Sequence, residues 1–234
     1  MKRTLPFVII AAVLLGGVAT AMYFQRSTTE TPTPTPAPAP PTNTATATNT
    51  ASTPAPAPDA GAEPAHVAGG ANAPIKLEEF GDFQCPPCGA LHPVLKNLEA
   101  EFGPEKVQVI FREFPLPAHT HALAAAYAAE AAGLQGKFWE MHDILYEHQA
   151  DWEKAFDSRP IFEEYAKTVG LDVEQYKRDL TSDIVSRRVT ADGKRATSLG
   201  VKGTPTVFMN GRELPFQLLA PDKLKAIIRS ELGQ

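Results

Sequence analysis

The sequence predicts an α/β domain whose sheet comes from two separated pieces of chain, with a helical subdomain inserted between them. Three observations carry this. A strand-like run, Ile75 to Phe80, is followed by a helical pattern and a second strand-like run, Val107 to Phe114. The next stretch, about residues 118–199, shows helical periodicity throughout. A strand pattern then resumes at Thr206-Val207-Phe208-Met209, and a helix closes the chain.

Ahead of this domain the chain reads as an address and a spacer. Lys2 and Arg3 precede an uncharged apolar run, Leu5 to Phe24, about long enough to cross a hydrocarbon core of roughly 30 Å. Residues 1–26 are therefore expected to be a transmembrane signal anchor with its basic end cytoplasmic. A cleaved signal peptide is the alternative, since Ala19-Thr20-Ala21 fits a small-residue cleavage site. Residues 27–72 are rich in Thr-Pro and Ala-Pro repeats and poor in large apolar side chains. Such a stretch cannot offset its ordering entropy by burial, so a disordered linker is expected there. In semi-extended form it would reach on the order of 100 Å.

The folded part is expected over 73–234. Ala73-Pro74 and Gly81 bracket the strand Ile75 to Phe80. Leu91, Val94, Leu95, Leu98 and Phe102 give the next helix its apolar stripe, and Gly103-Pro104 stops it. Strand, helix, strand with so long a connection implies a parallel pair and a right-handed crossover. In the insertion, helices are expected at His119 to Leu134, Gly136 to His148, Pro160 to Val169, Val173 to Leu180 and Asp183 to Leu199. Trp139 and Trp152 are expected to pack it. Asn210-Gly211 is a two-residue hairpin signal between Thr206–Met209 and Arg212–Leu214. The closing helix, Pro221 to Leu232, carries Leu224, Ile227 and Ile228 on one face.

The net charge of −5 leaves no basic excess to neutralise phosphates, which argues against nucleic acid as a partner. The only two cysteines are Cys85 and Cys88, in Cys85-Pro86-Pro87-Cys88 at the strand-to-helix junction. Two cysteines make no disulfide scaffold, and so small a ring takes little entropy from the unfolded chain. The pair therefore reads as a dithiol redox site. At a helix start the two sulfurs lie side by side, and the helix N-terminus favours the thiolate of the first, the nucleophile in disulfide exchange. His92 lies four residues after Cys88, but four ligands with matching spacing are not evident. No metal and no cofactor beyond a redox-active Cys85–Cys88 disulfide is expected. His119, His121, His142 and His148 do not converge in sequence.

Two signatures, Cys85-Pro86-Pro87-Cys88 and Val201-Lys202-Gly203-Thr204-Pro205-Thr206-Val207-Phe208, together resemble the thioredoxin superfamily, and its exported DsbA-like branch with a helical insertion. Phe111-Arg112-Glu113-Phe114-Pro115-Leu116 resembles that branch as well. The resemblance implies a cis Thr204–Pro205 bond opposite the cysteines, with the Thr204 backbone left free to pair an extended substrate. It implies that Cys85 is the exposed attacking sulfur and Cys88 the buried resolving one, with Pro86 and Pro87 between them facing substrate. It also implies a buried acid at Glu79 that exchanges a proton with the buried cysteine. Strand alternation agrees, placing Glu79 on one face with Ile75 and Leu77. The alternative is an exposed Glu79 at the strand end, with Glu78 inward.

The function expected is that of a membrane-tethered, extracytoplasmic thiol–disulfide oxidoreductase facing the periplasmic side. Its partners are protein thiols and disulfides, plus a membrane redox partner that recycles the pair. The resemblance favours oxidase over reductase. Two prolines between the cysteines offer no side-chain donor to the thiolate, which points to a potential short of the most oxidising members. The alternative is a non-catalytic thioredoxin-like scaffold or chaperone of the cell envelope.

Overall fold

In the computed structural model, residues 58–234 are described. The expected anchor, and the expected linker up to residue 57, lie outside them. Among the described residues no helix is long and apolar enough to cross a membrane.

The sheet has five strands: β1 (His66–Gly69), β2 (Ile75–Gly81), β3 (Val107–Glu113), β4 (Thr206–Met209) and β5 (Arg212–Leu214), in the order β1-β3-β2-β4-β5. β2 and β3 are parallel, with Leu77 opposite Val109 and Glu79 opposite Phe111. They are joined by helix α1 (Pro86–Phe102). β4 runs antiparallel to β2, with Glu79 opposite Val207. The hairpin to β5 turns through Asn210 and Gly211 at φ 50° and 80°, the left-handed pair a two-residue hairpin requires.

Between β3 and β4 the chain forms α2 (Ala122–Gly133), α3 (Phe138–Glu147), α4 (Gln149–Trp152), α5 (Arg159–Thr168), α6 (Val173–Asp179) and α7 (Asp183–Ser198). Each expected helix is present within a few residues of its expected bounds, and the short α4 is additional. The chain ends in α8 (Pro221–Glu231).

Side-chain alternation divides the core. Ile75, Leu77, Val107, Val109, Val207 and Met209 face α1 and α8. On the opposite face Phe80 and Phe208 meet Ala196 of α7. A third cluster holds the insertion together around Trp152, Phe162 and Tyr176, and reaches the sheet at Phe83 and Phe111.

The expected start of the domain at residue 73 is corrected. Residues 58–72 belong to the fold, and β1 lies along the outer edge of β3, antiparallel to it. Composition misread this segment because it is held chiefly by its backbone. Arg112 donates to the Ala62 carbonyl at 2.7 Å, and the Ala62 N–H donates to Asp192 at 2.7 Å. Arg195 donates to the Asp59 carbonyl, and Trp139 to the Val67 carbonyl. A segment with few large side chains is thus tied down by the side chains of others.

Candidate active site

The corner between β2 and α1 is built by polar side chains that lock a short loop. Asp82 is buried; one of its oxygens accepts from the Gln84 N–H at 2.7 Å, the other from the Leu116 N–H and from His119 Nδ1. Gln84 donates to the Glu153 carbonyl and accepts from the His121 N–H. Gln149 donates to the Phe83 and Cys85 carbonyls. The loop therefore enters α1 in one conformation, with Cys85 as N-cap and Pro86 and Pro87 in the first turn. Prolines fit there because first-turn N–H groups have no helical partner to lose.

Both cysteines are free thiols. Cys88 is fully buried, and Cys85 is only 4% exposed, so the expectation of an exposed Cys85 is corrected: the residue is nearly covered. The turn leading into β4 provides part of that cover, and the Cys85 thiol donates to the Thr204 carbonyl at 3.4 Å. That carbonyl, expected free for a substrate backbone, is engaged by the sulfur. The Thr204–Pro205 bond is cis, and Pro205 is buried. Pro86 and Pro87 are exposed. Pro87, Pro205, Ala90, Val94 and Phe216 are among the residues lining an apolar groove of about 300 Å³.

The two thiols differ in acidity. A hydrogen bond from the Cys88 thiol lowers Cys85 to about 6, against the opposing pull of burial and of Asp82. Burial pushes Cys88 far up, reinforced by Cys85 and Glu79. Glu79 lies on β2 with 2% exposure, and its Oε1 has no hydrogen-bond partner. Burial, with the Cys85 charge adding to it, raises its carboxyl to about 8. The structure thus puts Glu79 inward. Glu78 is buried too, on the other face, where Arg112 and Arg195 donate to it at 2.8 and 2.6 Å. Those hydrogen bonds and charges hold its carboxyl below the usual range against the larger opposing effect of burial.

The histidines that do not converge in sequence partly converge in space. His92 of α1 and His142 of α3 are both buried, and both meet Asp143 Oδ1, at 2.9 and 3.1 Å. Lys96 holds the other Asp143 oxygen at 2.8 Å. Burial pushes His142 down to about 4. The available signal in the sequence was a polar ring inside each apolar stripe, His92 beside Leu91 and Leu95, His142 beside Met141 and Leu145. Gln84 and Gln149 gave no such signal, because their partners are backbone groups distant in sequence, and Asp82 gave none because Leu116 and His119 reach it from across the fold.

Comparison with known proteins agrees with this geometry. Similar solved structures include oxidised BdbD from Bacillus subtilis, 25% identical, with a TM-score of 0.64 over 73% of this chain and 94% of that one. A thioredoxin-like oxidoreductase from Silicibacter pomeroyi DSS-3 is 26% identical, with a TM-score of 0.59 over 73% of this chain and 93% of that one. Among curated proteins, one named Na(+)/H(+) antiporter NhaA 1, from Mycolicibacterium vanbaalenii, is 43% identical over 149 residues, 62% of this chain and 23% of the relative. The chain thus spans about a quarter of the length of the curated relatives it matches. A family model described as Thioredoxin matches residues 62–230, and with the helical insertion between β3 and β4 the chain belongs to the thioredoxin family in its DsbA-like form.

Proposed function

We propose that this chain is an extracytoplasmic thiol–disulfide oxidoreductase that acts on protein thiols through Cys85 and Cys88, and that it runs as an oxidase. The observation that carries the reading is the unequal acidity of the pair, with Cys85 lowered to about 6 and Cys88 raised. A stabilised Cys85 thiolate favours the reduced form of the couple, which makes its disulfide oxidising. It also makes Cys85 the better leaving group when a mixed disulfide is resolved.

A substrate thiolate attacks Cys85 Sγ of the disulfide, the Sγ–Sγ bond breaks, and Cys88 departs with the electron pair. Glu79, protonated at neutral pH because burial raises it to about 8, supplies the proton that Cys88 takes up. A second substrate thiolate then attacks the mixed disulfide and releases the Cys85 thiolate. The substrate leaves as a disulfide, and the pair has gained two electrons. A membrane redox partner that accepts these electrons restores the disulfide.

The leader Leu5 to Phe24 and the Pro-rich stretch after it support tethering to a membrane with the domain outside the cytoplasm, where disulfides persist. Relatives named as antiporters, in which the matching stretch is about a quarter of the protein, support a module that works beside membrane proteins. The groove lined by Pro87, Pro205 and Phe216 would receive an apolar substrate segment next to Cys85.

Equilibration with glutathione buffers tests the direction. The expected reduction potential lies between about −270 mV, typical of thioredoxin, and about −120 mV, the value at the DsbA extreme. A value at or below that of thioredoxin would overturn the oxidase reading. A Cys88→Ala chain should hold substrates as mixed disulfides on Cys85. If the trap stays empty while Cys85→Ser leaves the cellular role intact, the chain is a scaffold.

A further inference from the structure

His92, His142 and Asp143 present two imidazole nitrogens and one carboxylate oxygen within 4.8 Å of one another. His92 Nε2 and His142 Nδ1 both address the same atom, Asp143 Oδ1, at 2.9 and 3.1 Å. In a tetrahedral zinc site, metal–ligand distances near 2.0–2.1 Å set neighbouring ligand atoms about 3.3 Å apart. The two imidazole-to-carboxylate spacings therefore need to widen by only a few tenths of an ångström. Two rigid helices, α1 and α3, hold the donors, and Lys96 on Asp143 Oδ2 at 2.8 Å leaves Oδ1 to the imidazoles.

A second observation points to the same place. The cluster lines a cavity of about 140 Å³ together with Glu79, Leu95, Val109 and Trp139. Two polar atoms of cavity-lining residues are buried without any partner, His142 Nε2 and Glu79 Oε1, and both residues are at least nineteen-twentieths buried. A histidine that ligates through Nδ1 carries its proton on Nε2, and a carboxylate is the usual acceptor behind a ligating imidazole. Glu79 lines the same cavity and offers a carboxyl group for that role. Three protein ligands leave a fourth position for water, and the cavity has room for it.

We infer that His92, His142 and Asp143 form a binding site for a divalent transition metal of the zinc class, with Glu79 as its outer partner. The donor set selects the ion. Imidazole nitrogens suit zinc, copper and nickel, whereas calcium and magnesium take oxygen ligands. The site needs neither cysteine as a ligand, and its existence does not depend on which way the redox couple runs; Glu79 is its link to the thiol chemistry.

The test uses the full chain carrying Cys85→Ser and Cys88→Ser, so that no thiolate competes for metal. Isothermal titration with Zn²⁺ should show saturable binding of one equivalent that Ca²⁺ does not reproduce. The thermal midpoint should rise with Zn²⁺ and return on adding EDTA. His142→Asn should weaken Zn²⁺ binding by at least about 100-fold. Should His142→Asn fail to fold, Asp143→Asn serves instead: this residue is partly exposed, and the amide still bonds its neighbours while losing the ligand charge. Glu79→Gln should weaken binding about 10-fold. Failure of the thiol-free chain to bind Zn²⁺, or binding unchanged in the Asp143→Asn or His142→Asn chain, overturns the inference.

Discussion

The thiol of Cys85 donates to the carbonyl oxygen of Thr204, 3.4 Å away in space and 119 residues distant in sequence. The contact ties the start of α1 to the turn before β4. It brings the carbonyl next to the reactive sulfur of the reduced pair.

The acidity of Cys85 rests first on the Cys88 thiol. Alkylation by iodoacetamide, followed against pH in the reduced protein, should give an apparent pKa near 6 for Cys85. In Cys88→Ala the donor is gone and the value should climb towards the ordinary 9.0. Stability is linked to the same proton. A depressed acid contributes stability that is complete above the unfolded value of about 9 and is lost as pH falls through about 6. A Cys88→Ala chain that still titrates near 6 counts against this assignment.

Glu79 has the opposite sign. Its folded value of about 8 stands above the ordinary 4.5, so the folded state binds the extra proton between them. The stability contributed is complete below about 4.5 and is lost as pH rises through about 8, by roughly 1.4 kcal/mol for each pH step between those limits. Urea melts of the reduced protein from pH 5 to 9 should show that Glu79→Gln is more stable than the parent at pH 9, with the difference narrowing towards pH 5. At pH 7 the same substitution should slow formation of the Cys85 mixed disulfide from the oxidised pair, the step in which Cys88 takes up a proton, by about 100-fold, the scale of lost general acid–base help.

Arg112 is 4% exposed and holds three groups at once: Glu78, Asp192 and the Ala62 carbonyl. Arg112→Met leaves buried Asp192 without its cation and Glu78 with Arg195 alone, at a cost of about 3–5 kcal/mol in chemical denaturation. Lysine at this position should recover only part of that, since a point charge cannot reproduce the planar fork. Limited proteolysis should then cut within residues 58–65, because the anchor of Ala62 is lost.

Gly81 sits where β2 ends, under the aromatic cluster. A Cβ there would overlap the Phe111 ring and lie 3.0 Å from the Tyr146 hydroxyl. Gly81→Ala should destabilise by about 1–3 kcal/mol through overpacking. It should also disturb Phe83, which stacks on Phe111 with ring centroids 5.3 Å apart, and so loosen the loop that carries Cys85. A thermal midpoint equal to that of the parent would remove this account of the glycine.

What the sequence disclosed follows the range of each interaction. The stripe on α1, the hairpin at Asn210-Gly211 and the Cys85–Cys88 pair are local, and each was readable within a few residues. Pro205 was readable through its motif rather than its surroundings. The His92–Asp143–His142 cluster joins α1 to α3 across 51 residues, and its local trace is no more than a polar ring inside each apolar stripe. Glu78 looked like a surface charge until Arg112 and Arg195 were brought to it from elsewhere in the chain. The strand His66–Gly69 was hidden for another reason: apart from the His66 ring, which meets Glu130 and stacks on Phe138, it is held through main-chain atoms, which every residue has, so composition says little about it.

That strand has a practical consequence for anyone excising the domain. A recombinant fragment begun at residue 73, as composition suggests, would strip β1 from β3 and uncover the backbone N–H and C=O groups of the edge it pairs, residues 108–111. Such an edge recruits strands from neighbouring chains and aggregates. It would also leave the Arg112 side chain without one acceptor and Asp192 without one donor. A fragment begun upstream of Asp59 keeps the sheet edge covered, and its colloidal behaviour should then report on the protein rather than on the cut.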